Sequence, residues 1–169
     1  MNNGIEYTGV PTWEELKASP GVPNEERMEK GPVACIECVQ EIPCNPCEKS
    51  CPFGAITVGQ PITNLPTLDE EKCTGCSSCV ACCPGLAIFK VIKNYTEKTS
   101  LVEFPYEYLP TPIKGTIVRC ANRSGEYVAD GKVISVKNGA KNDCTAVVAV
   151  EIPKEYYMEI RTICRKEVN

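Results

Sequence analysis

The sequence contains no histidine. Without imidazole the chain cannot form mixed cysteine–histidine zinc sites, Rieske-type centres or histidine-based acid–base catalysts. No apolar run approaches the ~20 residues that cross a bilayer, and the opening MNNGIEYTGVPTWEELKASPG lacks the basic and apolar regions of a secretory signal. These absences predict a cytoplasmic protein without a transmembrane segment, in a compartment where thiols stay reduced.

Basic runs are also missing, and the formal net charge is −4. Nucleic-acid binding is therefore not expected, because it requires a concentrated positive surface. The chain has no Gly-rich phosphate loop, flavin motif or catalytic constellation, and GEYVADGKV is a hairpin pattern rather than a dinucleotide fingerprint. We therefore expect no substrate turnover by this chain alone.

What the sequence has in excess is cysteine, with thirteen in 169 residues. An odd number argues against a complete disulfide framework, and clustered reduced thiols without histidine favour an all-thiolate metal site. All but three lie within residues 35–92. The exceptions, Cys120, Cys144 and Cys164, occupy apolar patterns, and we expect them to be small buried side chains without a ligand role.

Residues 35–92 contain an internal repeat, CNPCEKSCPFGAITV followed by CSSCVACCPGLAIFKV. Each copy has Cys-x-x-Cys, three residues, Cys-Pro, a short spacer, Ala-Ile and a short strand pattern. The second copy, with the cysteine just before it, reads Cys73-x2-Cys76-x2-Cys79-x3-Cys83-Pro84. Gly75 lies inside this loop, where tolerance of positive φ helps the chain to turn.

This run resembles the C-x2-C-x2-C-x3-C-P motif of bacterial two-cluster ferredoxins, and the resemblance covers residues 35–92. It implies a compact pseudo-twofold fold with two 4Fe–4S clusters. The first three cysteines of a copy hold one cluster, and the fourth reaches the other cluster. A zinc site fits poorly, because zinc motifs usually separate two Cys-x-x-Cys pairs.

The resemblance assigns four cysteines to each cluster. One set is Cys38, Cys44, Cys47 and Cys83. The other set is Cys73, Cys76, Cys79 and Cys51. The remaining cysteine of the second copy, Cys82, is expected to pack beside the clusters.

The first copy departs from the motif, because Glu41 stands where its first cysteine is expected. We prefer Cys38 as the replacement, since this choice keeps the Cys-x-x-Cys register of CNPC. A long-loop form, Cys35-x2-Cys38-x8-Cys47-x3-Cys51, would instead use Cys35 and free Cys44. The residues alone leave both registers open.

The predicted fold class is α+β, in three parts. Residues 1–34 form an extended N-terminal arm with short helices, one starting at a Thr12–Glu15 capping box and another capped by Asn24. Residues 35–92 form the two-cluster ferredoxin-like core. Residues 93–169 form a small β-meander or open barrel of four or five strands, with a terminal helix in KEYYMEIRTICRK after Pro153.

Two functions are compatible with this organisation. The first is an electron-transfer subunit of a multi-subunit flavin-dependent oxidoreductase, with a flavoprotein as partner. The segments GVP and ER of the arm, and the segment IPCNPC, resemble sequences in small iron–sulfur subunits of flavin-dependent dehydrogenases. The alternative is a free-standing soluble ferredoxin, which would need little beyond residues 35–92. Because two thirds of the chain lies outside that core, we prefer the subunit.

Overall fold

The computed structural model describes residues 2–139, 142 and 145–165. Its α-helices are α1 (Ile5–Thr8), α2 (Trp13–Ala18), α3 (Glu25–Glu29), α4 (Pro46–Ser50) and α5 (Ser78–Cys82). Its strands are β1 (Val33–Ile36), β2 (Ile56–Thr57), β3 (Thr67–Leu68), β4 (Ile88–Ile92), β5 (Thr99–Tyr106), β6 (Ile117–Ala121), β7 (Tyr127–Lys137), β8 (Ala146–Pro153) and β9 (Thr162–Ile163). Within the described ranges, every helix is too short or too polar to cross a membrane.

The two halves of the cysteine repeat are related strand–helix–strand units. The first unit is β1–α4–β2 and the second is β3–α5–β4. β1 pairs antiparallel with β4, β2 pairs antiparallel with β3, and α4 contacts α5. The strands of each unit therefore pair with strands of the other unit.

Each unit carries the same turn after its Cys-Pro pair. The Gly54 N–H donates to the Cys51 carbonyl at 3.3 Å, and the Leu86 N–H donates to the Cys83 carbonyl at 3.1 Å. Both donor residues are left-handed, with φ of 59° at Gly54 and 53° at Leu86. Glycine is the residue that usually adopts this left-handed conformation, but the second copy of the turn has leucine at the same position.

One antiparallel sheet crosses the predicted boundary at residue 92. Its strand order is β1-β4-β5-β8-β7-β6-β9, so β4 of the cysteine repeat hydrogen-bonds to β5 of the C-terminal region. β6, β7 and β8 follow one another as a meander, while β5 pairs with β8. β8 is buried along almost its whole length, which places the middle of the core in the C-terminal region.

The predicted terminal helix is wrong. After Pro153 the chain forms a 3₁₀ helix, Lys154–Tyr156, and then the short strand β9. The Arg161 N–H donates to the Ala121 carbonyl at 2.9 Å, and the Cys164 N–H donates to the Arg119 carbonyl at 2.8 Å. Pairing with β6 satisfies these backbone groups and buries Ile160, which outweighs the local helical pattern.

The N-terminal arm packs on the rest of its own chain through its short helices. Both predicted caps are confirmed: the Thr12 and Glu15 side chains each accept a backbone N–H from the other residue, and the Asn24 side chain accepts the Arg27 N–H. Leu16 and Met28 are buried. Because helices this short are not stable alone, tertiary contacts must order them.

A buried ion network joins the cysteine repeat to the C-terminal region. Glu37 directly follows β1, and its carboxylate accepts hydrogen bonds from Arg161 Nε at 2.7 Å and Arg123 Nε at 2.6 Å. Burial acts to raise the pKa of Glu37, but the two guanidinium groups outweigh it and hold the pKa below its ordinary value. The carboxylate therefore stays charged and fixes the contact.

Replacing the Glu37 carboxylate tests this contact. Glu37→Gln leaves two largely buried guanidinium groups without a counterion, so we expect the free energy of unfolding to fall by about 3–5 kcal/mol. The matched control is Glu26→Gln. Glu26 pairs with Lys30 at 2.9 Å while 82% exposed, and its loss should leave the free energy of unfolding almost unchanged. Denaturant unfolding under anaerobic conditions measures both changes, and equal small changes would contradict the predicted role of Glu37.

The repeated turn gives a second pair of variants. An added Cβ meets open space at both Gly54 and Gly85, but only Gly54 has positive φ. Gly54→Ala should therefore destabilise the protein by about 1 kcal/mol, which lowers the melting temperature by about 2–4 °C. Gly85→Ala should leave the melting temperature unchanged or slightly higher. Equal losses would show that the left-handed conformation is not the cause.

Candidate iron–sulfur sites

Two cavities in the repeat are each lined by four cysteines. The first cavity has a volume of about 190 Å³ and is lined by Cys38, Cys44, Cys47 and Cys83. The second cavity is lined by Cys51, Cys73, Cys76 and Cys79. Its volume is only about 20 Å³, so these side chains must rotate outward to admit a bulky ligand. The structure thus brings together both sets of cysteines that the sequence grouped.

Each set of four takes one cysteine from the other copy of the repeat. Cys83 follows α5 yet lines the first cavity, whereas Cys51 follows α4 yet lines the second. The contact between α4 and α5 makes this exchange possible. Neither copy supplies four cysteines to a cavity by itself.

Gly75 shapes the loop that carries Cys73 and Cys76. Its φ is 66°, and a Cβ atom there would lie 2.5 Å from the Cβ atom of Pro32. Two independent constraints, the left-handed backbone and the close approach of Pro32, therefore require glycine. Arg27 fastens the same loop, because its guanidinium donates at 2.7 Å to the carbonyls of both Cys73 and Glu70.

Backbone N–H groups point at three of the sulfur atoms. Ala55 donates to Cys51 Sγ at 3.2 Å, and Ala87 donates to Cys83 Sγ at 3.5 Å at the matching position of the repeat. Ala34 donates to Cys73 Sγ at 3.4 Å. Hydrogen bonds of this kind favour the thiolate, which is the form that binds metal.

The buried thiols need a cation to become thiolates. Burial raises the pKa of Cys47 to about 11 and raises that of Cys79 as well. Without metal these groups remain protonated at neutral pH, whereas a coordinated metal deprotonates a thiol outright. Four soft sulfur donors around one cavity suit zinc or an iron–sulfur cluster.

Zinc and an iron–sulfur cluster require different spacings of the sulfurs. In the part of the chain that the structure describes, no three cysteine, aspartate or glutamate side chains converge closely enough for a single metal ion. A zinc site would hold every sulfur ≈2.3 Å from one ion. The cysteines of a cubane bind different irons and stay further apart than the ligands of one zinc ion.

Other cysteines lie away from the cavities or beside them. Cys35 is fully buried in the core around Phe104, lines neither cavity, and has its pKa raised by burial to about 12. Cys82 is half-buried, 2.9 Å from the Ser50 hydroxyl. Cys120 is buried in the sheet, Cys164 is half-buried, and Cys144 lies outside the described residues.

Charged side chains near the cavities were missed by sequence reasoning. Glu37 lines the first cavity and Lys90 lines the second. Lys90 Nζ lies 2.6 Å from the carboxylate of Glu103, which also accepts a hydrogen bond from the Ser77 hydroxyl at 2.6 Å. The only signal was a lysine inside the apolar strand IFKVI, which does not reveal its neighbours.

No protein-family model and no solved structure matches the chain. A subunit of the ion-translocating oxidoreductase complex from Methanosarcina acetivorans is 53% identical over 47 residues, 28% of this chain and 17% of that protein. An uncharacterized ferredoxin from Methanocaldococcus jannaschii is 38% identical over 63 residues, 37% of this chain and 36% of that protein. A subunit of selenate reductase from Mesobacillus selenatarsenatis is 35% identical over 83 residues, 46% of this chain and 26% of that protein.

These similarities cover only part of each protein. The chain spans between 17% and 36% of the length of these three relatives. Two of them are named as subunits of oxidoreductases and one as a ferredoxin. The chain therefore contains a ferredoxin-like iron–sulfur region.

Serine substitutions separate the two possible registers of the first copy. Cys38 lines the first cavity, so Cys38→Ser should lose up to half of the bound iron in anaerobically purified protein. Cys35→Ser should retain all of it, because Cys35 lines neither cavity. Iron per chain is measured by metal analysis. Loss of iron in Cys35→Ser together with retention in Cys44→Ser would support the long-loop register instead.

Proposed function

We propose that this chain is the electron-transfer subunit of a flavin-dependent oxidoreductase complex and that it holds two 4Fe–4S clusters. The observation that carries the proposal is the pair of four-cysteine cavities, each built from three cysteines of one copy and one of the other. This exchange is the ligand pattern of two-cluster ferredoxins. Bound clusters of this type supply one-electron transfer.

The proposed cluster ligands are the cysteines that line the two cavities, four at each cavity. The backbone N–H groups of Ala34, Ala55 and Ala87 hold the sulfurs in place. Cys76 is the exposed member of the eight, whereas Cys47 and Cys79 are buried. The Cys76 edge of the second cavity is therefore the proposed place of electron exchange with a partner.

Features outside the repeat support a subunit rather than a free-standing ferredoxin. Leu109, Ile113 and Ile117 lie close together in the chain and are 90%, 72% and 65% exposed. Clustered exposed apolar side chains are typical of surfaces that another protein covers. Relatives that are named as subunits of oxidoreductases point the same way.

We propose a flavin in the partner because substrates are oxidised by two electrons at a time, whereas iron–sulfur clusters accept one. A flavin accepts an electron pair from a substrate and releases single electrons, which is what the two cysteine sites are suited to receive. We propose that the chain itself binds the clusters, shields them from solvent and passes on electrons, with no substrate chemistry of its own.

Anaerobic purification of the full-length tagged chain from its native cells tests the proposal. We expect about eight irons and eight sulfides per chain, uptake of two electrons, and a stoichiometric second subunit that contains flavin. Zinc without visible charge-transfer absorption would overturn the cluster assignment. A chain with both clusters that purifies as a monomer from native extracts would favour the free-standing ferredoxin.

A further inference from the structure

The two cysteine cavities differ in the charge that lines them. Lys90 lines the second cavity, whereas Glu37 lines the first. Arg123 and Arg161 both bind the Glu37 carboxylate, so that network also carries a net charge of +1, but neither arginine lines a cavity. Among the residues that line the cavities, the charged one is therefore a lysine at the second cavity and a glutamate at the first.

Lys90 belongs to a largely buried network with an excess of positive charge. Its side chain is 12% exposed, and its Nζ lies 2.6 Å from Glu103. Lys137 Nζ also lies 3.2 Å from the same carboxylate. Two lysines for one carboxylate leave a net charge of +1, and low solvent exposure limits the screening of that charge.

Arg27 places a further positive group beside the second cavity without lining it, because it binds the loop that carries Cys73. Its guanidinium donates to the backbone carbonyl of Cys73 at 2.7 Å and to that of Pro32 at 2.9 Å. Among the described residues it forms no ion pair with a carboxylate. Its charge is therefore not cancelled locally.

Hydrogen bonding to sulfur shows the same asymmetry. At the second cavity, Cys73 and Cys51 each accept a backbone N–H, and the Ser78 hydroxyl lies 3.5 Å from Cys76 Sγ, where it can donate to a thiolate. At the first cavity, Cys83 Sγ accepts the Ala87 N–H at 3.5 Å, and a backbone hydrogen bond of Glu48 to Cys47 adds to it. Cys76 is also exposed, unlike the cysteines of the first cavity.

Positive charge, hydrogen bonds to sulfur and solvent exposure all stabilise the more negative, reduced state of an iron–sulfur site. We infer that Lys90 and its neighbours give the second cavity the higher reduction potential, so that the first electron taken up by the chain resides there. This inference rests on the proposed function, because it requires both sites to hold clusters. It makes the Cys76 edge the position where electrons collect before leaving.

A reductive titration of the full-length holoprotein tests the inference. Dithionite donates the electrons under anaerobic conditions, and electron paramagnetic resonance follows each reduced site. The unmodified protein should show two one-electron steps at distinct potentials. Lys90→Met should lower the midpoint potential of the higher-potential step by about 59 mV. This shift corresponds to about a tenfold change in the reduced-to-oxidised ratio at a given potential. Lys90→Arg should leave that midpoint potential in place.

Glu103→Gln separates charge from structure. It removes the negative half of the same ion pair, so the higher-potential step should move upward, opposite to Lys90→Met. Loss of packing alone would not produce opposite shifts. The matched control is Lys93→Met, because the Lys93 side chain is similarly buried at 14% exposure and pairs with glutamates, but lines neither cavity. Both steps should stay unchanged in this variant.

The outcomes distinguish this inference from the proposed function. Two full clusters with equal potentials, or a Lys90→Met shift confined to the lower-potential step, would overturn the inference while leaving two clusters in place. Shifts of the same sign in Lys90→Met and Glu103→Gln would also overturn it. A protein that binds no iron would overturn the proposed function itself.

Discussion

The rest of the structure depends on the exchange of one cysteine between the two copies of the repeat. Cys51 and Cys83 each line the cavity of the opposite copy, and the helices that precede them, α4 and α5, lie in contact. The pairing of β1 with β4 and of β2 with β3 joins the same two copies. The two sites are therefore formed together, as parts of one assembly.

The C-terminal region is joined to the cysteine repeat by strand pairing and by charged side chains. Arg161 reaches back to Glu37 next to the first cavity, and Glu103 accepts hydrogen bonds from Ser77 and Lys90 at the second. Both contacts carry charge into places with little solvent. The sheet thus sets the electrostatic surroundings of the cysteines as well as supporting them.

The parts that sequence reasoning predicted well are governed by neighbours in the chain. The helix caps at Thr12 and Asn24 and the left-handed Gly75 depend on a few adjacent residues. The terminal helix failed because pairing of residues around Arg161 with β6 outweighs local preference. Lys90 and Glu103 meet only through the register of β4 and β5, which no local pattern reveals.

The continuity of the sheet has a consequence for how this chain can be divided. β4 hydrogen-bonds to β1 on one side and to β5 on the other. A fragment ending near residue 92 would therefore present one side of β4 as a bare edge, with unpaired backbone groups ready to recruit a strand from another molecule. A fragment that keeps both cavities and also covers this edge must then include β5.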